Sequence, residues 1–321
     1  MPTPDMFVFQ IGGDAVLVFF FISGYIVPLA YEKYYLTSEN NLSPIRFYIS
    51  RALKIFPIYW IAVTITFFDY KLWNFTNAPN PELISPENLI HNYLLIGLGW
   101  RRANDLGSNL LAQAWTLDYE LQWYLLIPVL FWLRKYKLDL MVCGFIFAFN
   151  GFGLSNSFFT HSSFFILGYL FYRGSAEINK ESNELVFLKS KIWNHPLLYF
   201  SIAFLFFSIV QGSHTMTSIS LIGIAMVCLI KQHHGETSKI DKLMGDLSYP
   251  VYILHMSTLY ISQNYLIVGW DKFLGFEYNI LFDVLFFFAQ LGFITIEAYL
   301  CTILITYPLE KLRLKLKSKS I

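Results

Sequence analysis

Charge is scarce in this chain: 14% of its 321 residues are charged, against roughly 25% in soluble domains. Neither sign dominates. Net charge is +1, which excludes the broad basic field that nucleic-acid binding needs. Cysteine is scarce as well. Cys143, Cys228 and Cys301 lie in apolar runs without metal-ligand spacing, which argues against a disulfide framework and predicts buried free thiols. The start has no basic segment leading to a small-residue cleavage site, so no secretory signal is expected. What abounds is apolar: 55% of residues are hydrophobic, 19% aromatic, and mean hydropathy is +0.48. Lipid is the expected solvent.

A helix needs about 20 apolar residues to cross the hydrocarbon core. Runs of that kind predict nine spans, near 14–31, 53–70, 119–134, 138–155, 158–173, 195–212, 215–231, 248–268 and 280–307. The segment 89–100 is too short and polar to count and is expected to dip into the interface. No strand alternation or repeat competes, so the fold class is all-α, a polytopic transmembrane helix bundle, with 1–321 one membrane-embedded domain. With the first span running inward, 19 of the 23 Lys and Arg fall on the cytoplasmic side. The positive-inside rule then sets an outside N-terminus and a cytoplasmic C-terminus.

Four stretches carry chemistry. "FYISRALKIFPIYW" places Arg51 and Lys54 on one helical face at the cytoplasmic end of a span. The pair can neutralise phosphates of a cytosolic donor such as coenzyme A, or of a lipid head group; on the residues alone, ordinary positive-inside flanking is the favoured reading. Pro57 is expected to kink that helix. "WTLDYELQWY" sets Glu120 four residues before Tyr124, on a shared face, with Asp118 pointing away. Asp118 reads as an N-cap or first-turn acid. Glu120 goes deeper, and a carboxylate inside a span is costly enough to be a functional candidate; the alternative is a second first-turn acid. "LSYPVYILH" aligns Ser248, Tyr252 and His255, either a proton-handling set or, the favoured reading, polar glue between helices. "GGDAVLVFFFISGY" sets Asp14 at a span mouth and Ser23 beside Gly24, a residue small enough for close helix packing. The other histidines, His91, His161, His195, His214, His233 and His234, sit in loops or span edges without ligand spacing, so no metal is expected.

In this order the blocks resemble those of acyltransferase family 3, membrane O-acyltransferases, particularly the branch that modifies exopolysaccharides. "GGDAVLVFFFISGYIV" is similar to G-V-D-x-F-F-x-x-S-G-F. "FYISRALKIFPIYW" is similar to F-x-x-R-R-x-x-R-I-x-P-x-Y, with Ser50 for one of the paired arginines and Lys54 for the last. "AWTLDYELQWYLLIPVL" resembles W-S-L-x-x-E-x-x-F-Y-x-x-x-P, with Glu120 as the glutamate. "LSYPVYILH" resembles L-S-Y-x-x-Y-L-x-H, and "TYPLEKL" resembles Y-x-x-I-E-K-P, with Leu312 in place of the proline. The resemblance implies transfer of an acyl group, acetyl foremost, from acyl-CoA as co-substrate to a hydroxyl of a surface polysaccharide or lipid-linked sugar. No bound cofactor, metal or nucleic acid is implied. Arg51 and Lys54 would hold the donor. Trp115, Tyr124, Asp14, Ser23, Ser248 and Tyr252 would shape or support the acceptor side, with Glu120 and His255 as catalytic candidates.

The bacterial cytoplasmic membrane is the expected location, with membrane lipid as surroundings. The family has about ten spans and places its catalytic His in the first, a block this sequence does not match. A ten-span member without that helix would have nine spans and an outside N-terminus. The expectation is therefore a chain truncated at its start, with little or no acyl transfer unless His255 substitutes. A transporter or flippase of a polysaccharide intermediate, or an inactive scaffold in a synthesis complex, is the alternative.

Overall fold

The computed structural model describes residues 4–36, 44–74, 84–99, 109–150, 158–181, 220–226, 228, 239–261 and 280–316. Among these there is no sheet. The helices are α1 (Pro4–Tyr35), α2 (Pro44–Asn74), α3 (Pro86–Leu94), α4 (Ala114–Arg134), α5 (Asp139–Asn150), α6 (Phe158–Glu181), α7 (Lys239–Ile261), α8 (Ile280–Cys301) and α9 (Tyr307–Leu316), with a π-helical stretch at Thr302–Thr306 joining the last two. In hydrocarbon every backbone polar group must be satisfied within the segment, and helices achieve this. Stretches Gly13–Tyr35, Pro44–Tyr70 and Leu285–Leu316 are long and apolar enough to cross a membrane. The protein is an integral membrane protein with an all-α bundle fold. Spans expected near 14–31, 53–70, 119–134 and 158–173 lie within α1, α2, α4 and α6; α5 covers most of 138–155, and 248–268 begins inside α7. The span expected at 195–212 and most of 215–231 fall outside the described residues.

The chain divides into two compact units, Met1–Leu42 with Tyr119–Thr237, and Ser43–Asp118 with Ser238–Ile321; the division falls inside α4. In the first unit α1 and α6 run in the same direction, since Phe20 meets Phe165, Tyr25 meets Phe171, and Glu32 meets Tyr172. Two glycines let their backbones touch. A Cβ on Gly24 would lie 2.2 Å from the carbonyl oxygen of Phe165, and one on Gly168 2.1 Å from that of Phe21. Lipid gives helices no hydrophobic drive to associate, so this close van der Waals fit holds them together. Around the crossing, Phe165 stacks on Phe20 with centroids 4.5 Å apart and on Trp123 at 5.3 Å.

In the second unit α2 packs against α7 and α9, and α7 against α8. Helix α2 continues through Pro57 without a break in its range. Helix α3 occupies the stretch expected at the interface. Ser85 caps it by accepting from Asn88 N, and Pro86 opens it, where a missing N–H does no harm. It ends on Leu95 in the left-handed conformation (φ 55°), with Leu95 N and Ile96 N donating back to Asn92 O and His91 O, a Schellman-type close. A leucine there is strained; its burial, 2% exposed, holds it. Helix α8 shows Leu285, Phe287, Phe288, Leu291, Phe293 and Ile296 at its surface, as a lipid-facing helix does.

Candidate functional site

Glu120 is the centre of a buried polar cluster in the first unit. Its Oε1 accepts from Ser23 Oγ on α1 at 3.4 Å and from the Tyr124 hydroxyl one turn along α4. All three side chains are buried. The spacing of four between Glu120 and Tyr124 brings the two together as expected. A carboxylate out of water persists only with donors around it, and two hydroxyls supply them here. Asp14 is also buried, nearer the start of α1; the helix begins at Pro4, but its membrane-crossing stretch is Gly13–Tyr35, so Asp14 stands at the mouth of that span.

The reading of Asp118 needs correction. Helix α4 starts at Ala114, a turn earlier than the apolar run suggests, and has no acid in its first turn. Asp118 is therefore neither N-cap nor first-turn acid. It lies inside the helix, buried, and its Oδ2 accepts from Gly99 N at 3.1 Å, tying the stretch after α3 to α4. The same earlier start removes the first-turn alternative for Glu120. Trp115, half-buried, sits in the opening turn.

One histidine expected in a loop or at a span edge takes the second place. His161 lies in the first turn of α6, at the span edge, with its ring stacked on Tyr119 (5.2 Å, 25°) and edge-on to Phe20 at 5.8 Å. An imidazole thus neighbours the residue preceding Glu120 and the residue three before Ser23. A lone histidine in an apolar run carries no spacing signal, and sequence reasoning passes over it. The cysteine expectation holds in part: all three are free, but only Cys143 is buried, while Cys301 is intermediate and Cys228 exposed. Apolar runs facing lipid leave such residues outside the protein's own interior.

In the second unit the "LSYPVYILH" residues separate. The Tyr252 hydroxyl meets Thr116 Oγ1 at 2.5 Å, and Gln113 Nε2 donates to Ile253 O at 2.8 Å, so this part of α7 is bonded to the start of α4. Tyr249, which the motif reading did not single out, donates to Ile55 O on α2 at 2.7 Å. Ser248 is exposed and donates to Gly245 O of its own helix, apart from Tyr252 and His255. His255 Nδ1 lies 2.6 Å from Tyr252 O. A carbonyl can only accept, so Nδ1 carries the proton and Nε2 is the basic nitrogen. On α2, Arg51 is buried with its guanidinium 5.2 Å from the Phe47 ring, and Lys54, a turn later, is exposed.

Two further clusters in the first unit are invisible in the motifs. Arg134 Nη1 donates to Tyr172 OH at 3.1 Å and lies 3.4 Å from Glu32 Oε1, while Tyr172 donates to Glu32. Arg173 Nε stands 3.2 Å from Asp139 Oδ2, which also accepts from Tyr169 OH at 2.8 Å. Each joins an acid, a tyrosine and an arginine. Sequence reasoning counted both arginines only as positive flanks; the repeat of Tyr169, Tyr172 and Arg173 along one face of α6 is the signal available. Among the described residues no group of His, Cys, Asp or Glu could hold a metal ion.

The chain is 25% identical over 134 residues to the exopolysaccharide production protein ExoZ of Rhizobium meliloti (strain 1021), an alignment covering 41% of this chain and 39% of that protein. No solved structure matches the chain significantly. The acyltransferase domain of the acyltransferase 3 family matches residues 2–308. With nearly its whole length inside that match, the chain belongs to the acyltransferase 3 family.

Proposed function

We propose that this protein moves an acyl group, acetyl foremost, from acyl-CoA to a hydroxyl of a surface polysaccharide or its lipid-linked precursor. The carrying observation is buried Glu120, held by Ser23 and Tyr124, in a stretch that resembles the family's tryptophan–glutamate block. The likeness to an exopolysaccharide production protein supports the sugar acceptor. In the reaction the sugar hydroxyl attacks the thioester carbonyl. The new C–O bond forms, the C–S bond breaks, and the hydroxyl proton passes through a base to the departing thiolate. Two groups can take that proton: the Glu120 carboxylate, and Nε2 of His255. Arg51 and Lys54 suit the donor phosphates. Trp115, Asp14 and Ser248 serve the acceptor side, and Tyr252, bonded to Thr116, positions α7 there. The Lys and Arg asymmetry supports a bacterial cytoplasmic membrane with the C-terminus inside.

The test follows labelled acetyl from acetyl-CoA into surface polysaccharide in membranes carrying wild type, Glu120→Gln or His255→Ala at equal protein level. Transfer by wild type, lost in either variant, supports the reading and names the base. Translocation of a lipid-linked sugar without acyl transfer would replace it with a transporter.

A further inference from the structure

Helix α9 brings one cation to α2 that no motif announces. Arg313 Nε donates to Ser50 O at 3.1 Å and lies 3.4 Å from Ser50 Oγ, and its Nη1 bonds Glu310 one turn earlier on α9. Its side chain is only 12% exposed. Ser50 itself is fully buried and directly precedes Arg51. A guanidinium from the far end of the chain therefore rests on the backbone of the residue next to Arg51, with Lys54 a turn further along. Position 50 is where the resembling block would have an arginine. A small hydroxyl in its place leaves room for a guanidinium to enter from another helix.

The π-helical stretch Thr302–Thr306 sits just before α9. Such a stretch widens the turn and shifts the angular register of everything after it, and π-bulges gather at functional sites. Helix α9, which follows it, packs against α2. Arg51 and Lys54 on α2 and Arg313 on α9 thus lie on two helices that pack together, Arg313 paired with Glu310.

We propose that Arg313 completes a phosphate-binding set with Arg51 and Lys54, supplying from α9 the charge that position 50 of α2 lacks. The proposal rests on the donor-phosphate reading of Arg51 and Lys54. Guanidinium is the suited group, since its planar fork meets phosphate oxygens in pairs. The ligand is a phosphate-bearing molecule, and two sources are separable: coenzyme A and an anionic lipid head group.

The experiment measures coenzyme A binding to the full chain in neutral-lipid nanodiscs, with acetyl-pantetheine as the ligand that lacks the nucleotide phosphates. Arg313→Ala should weaken coenzyme A about tenfold, as loss of one charge-assisted contact does, and leave acetyl-pantetheine unchanged. Adding Ser50→Arg to Arg313→Ala should restore most of the binding, because the charge returns to the same place. Coenzyme A binding unaltered by Arg313→Ala overturns the proposal and spares the donor reading. Equal weakening of both ligands without rescue overturns it too, leaving Arg313 a packing residue. A wild type that ignores coenzyme A but prefers phosphatidylglycerol discs, with the preference lost in Arg313→Ala and regained with Ser50→Arg, keeps the phosphate site and removes the donor reading.

Discussion

In the unit built on α1 and α6, two helices approach until a carbonyl lies where a Cβ would be, at Gly24 and Gly168. In the unit built on α2 and α7 the equivalent joints are hydroxyls and amides reaching across to carbonyls: Tyr249 to Ile55, Gln113 to Ile253, Tyr59 to Asn92. The first unit excludes side chains from its seam and sets its polar groups in acid–tyrosine–arginine clusters. The second keeps its side chains, and these joints are single neutral bonds, apart from the charged contacts of Asp118 and Arg313. A seam that depends on missing atoms fails when an atom is added; a seam of single neutral bonds loses one modest increment at a time.

The largest expected effect follows from that difference. Gly24→Leu or Gly168→Leu would drive a side chain into backbone that cannot yield, costing more than about 3 kcal/mol. The folded, monodisperse fraction after detergent extraction should collapse. Gly245→Ala on α7 of the second unit meets nothing within 4 Å, and its yield should match wild type. Equal tolerance at Gly24 and Gly245 would erase the contrast.

Next come the charged clusters. Asp139 is fully buried beside Arg173, and Asp139→Ala would leave that guanidinium without its carboxylate. Breaking a buried pair on one side costs about 3–5 kcal/mol. A correspondingly lower thermal midpoint in detergent is expected, and Asp139→Asn, which still accepts from Tyr169, should recover part of it. In the second unit Tyr59→Phe removes a single bond to Asn92 O, 2.6 Å long, for which about 1 kcal/mol is the measure. The two variants side by side in one thermal series quantify the contrast.

Much of this architecture is legible in the sequence, for a physical reason. Bilayer thickness sets run length, so α1, α2, α4 and α6 contain the runs that announce them, and the order of the motif blocks points to the family. Offsets within one helix are legible as well: Glu120 meets Tyr124 because four residues make a turn. What escapes is whatever depends on a second helix or on a shifted start. Asp118 reads as a cap until the helix is seen to open at Ala114. Arg134 and Arg173 read as flanks until Glu32 and Asp139 come from other helices. Arg313 follows a π-helical stretch, and "TILIT" carries no mark distinguishing it from ordinary helix.

The smallest effects test whether "LSYPVYILH" works as a set. Its one-face alignment treats Ser248, Tyr252 and His255 alike, but the bonds do not. Tyr252 reaches off its helix to Thr116; Ser248 bonds back to Gly245 at the surface. Tyr252→Phe should therefore cost about 1 kcal/mol by unmaking one partly buried bond. Ser248→Ala, removing a hydroxyl that competes with the helix's own ladder, should stay within about 0.5 kcal/mol of wild type in either direction. Combining the two shows whether they are coupled. Independent sites add within about 0.3–0.5 kcal/mol, and additivity in the thermal midpoints is the expected result. A double variant departing from the sum by more would mean that Ser248 and Tyr252 act together despite their separate partners.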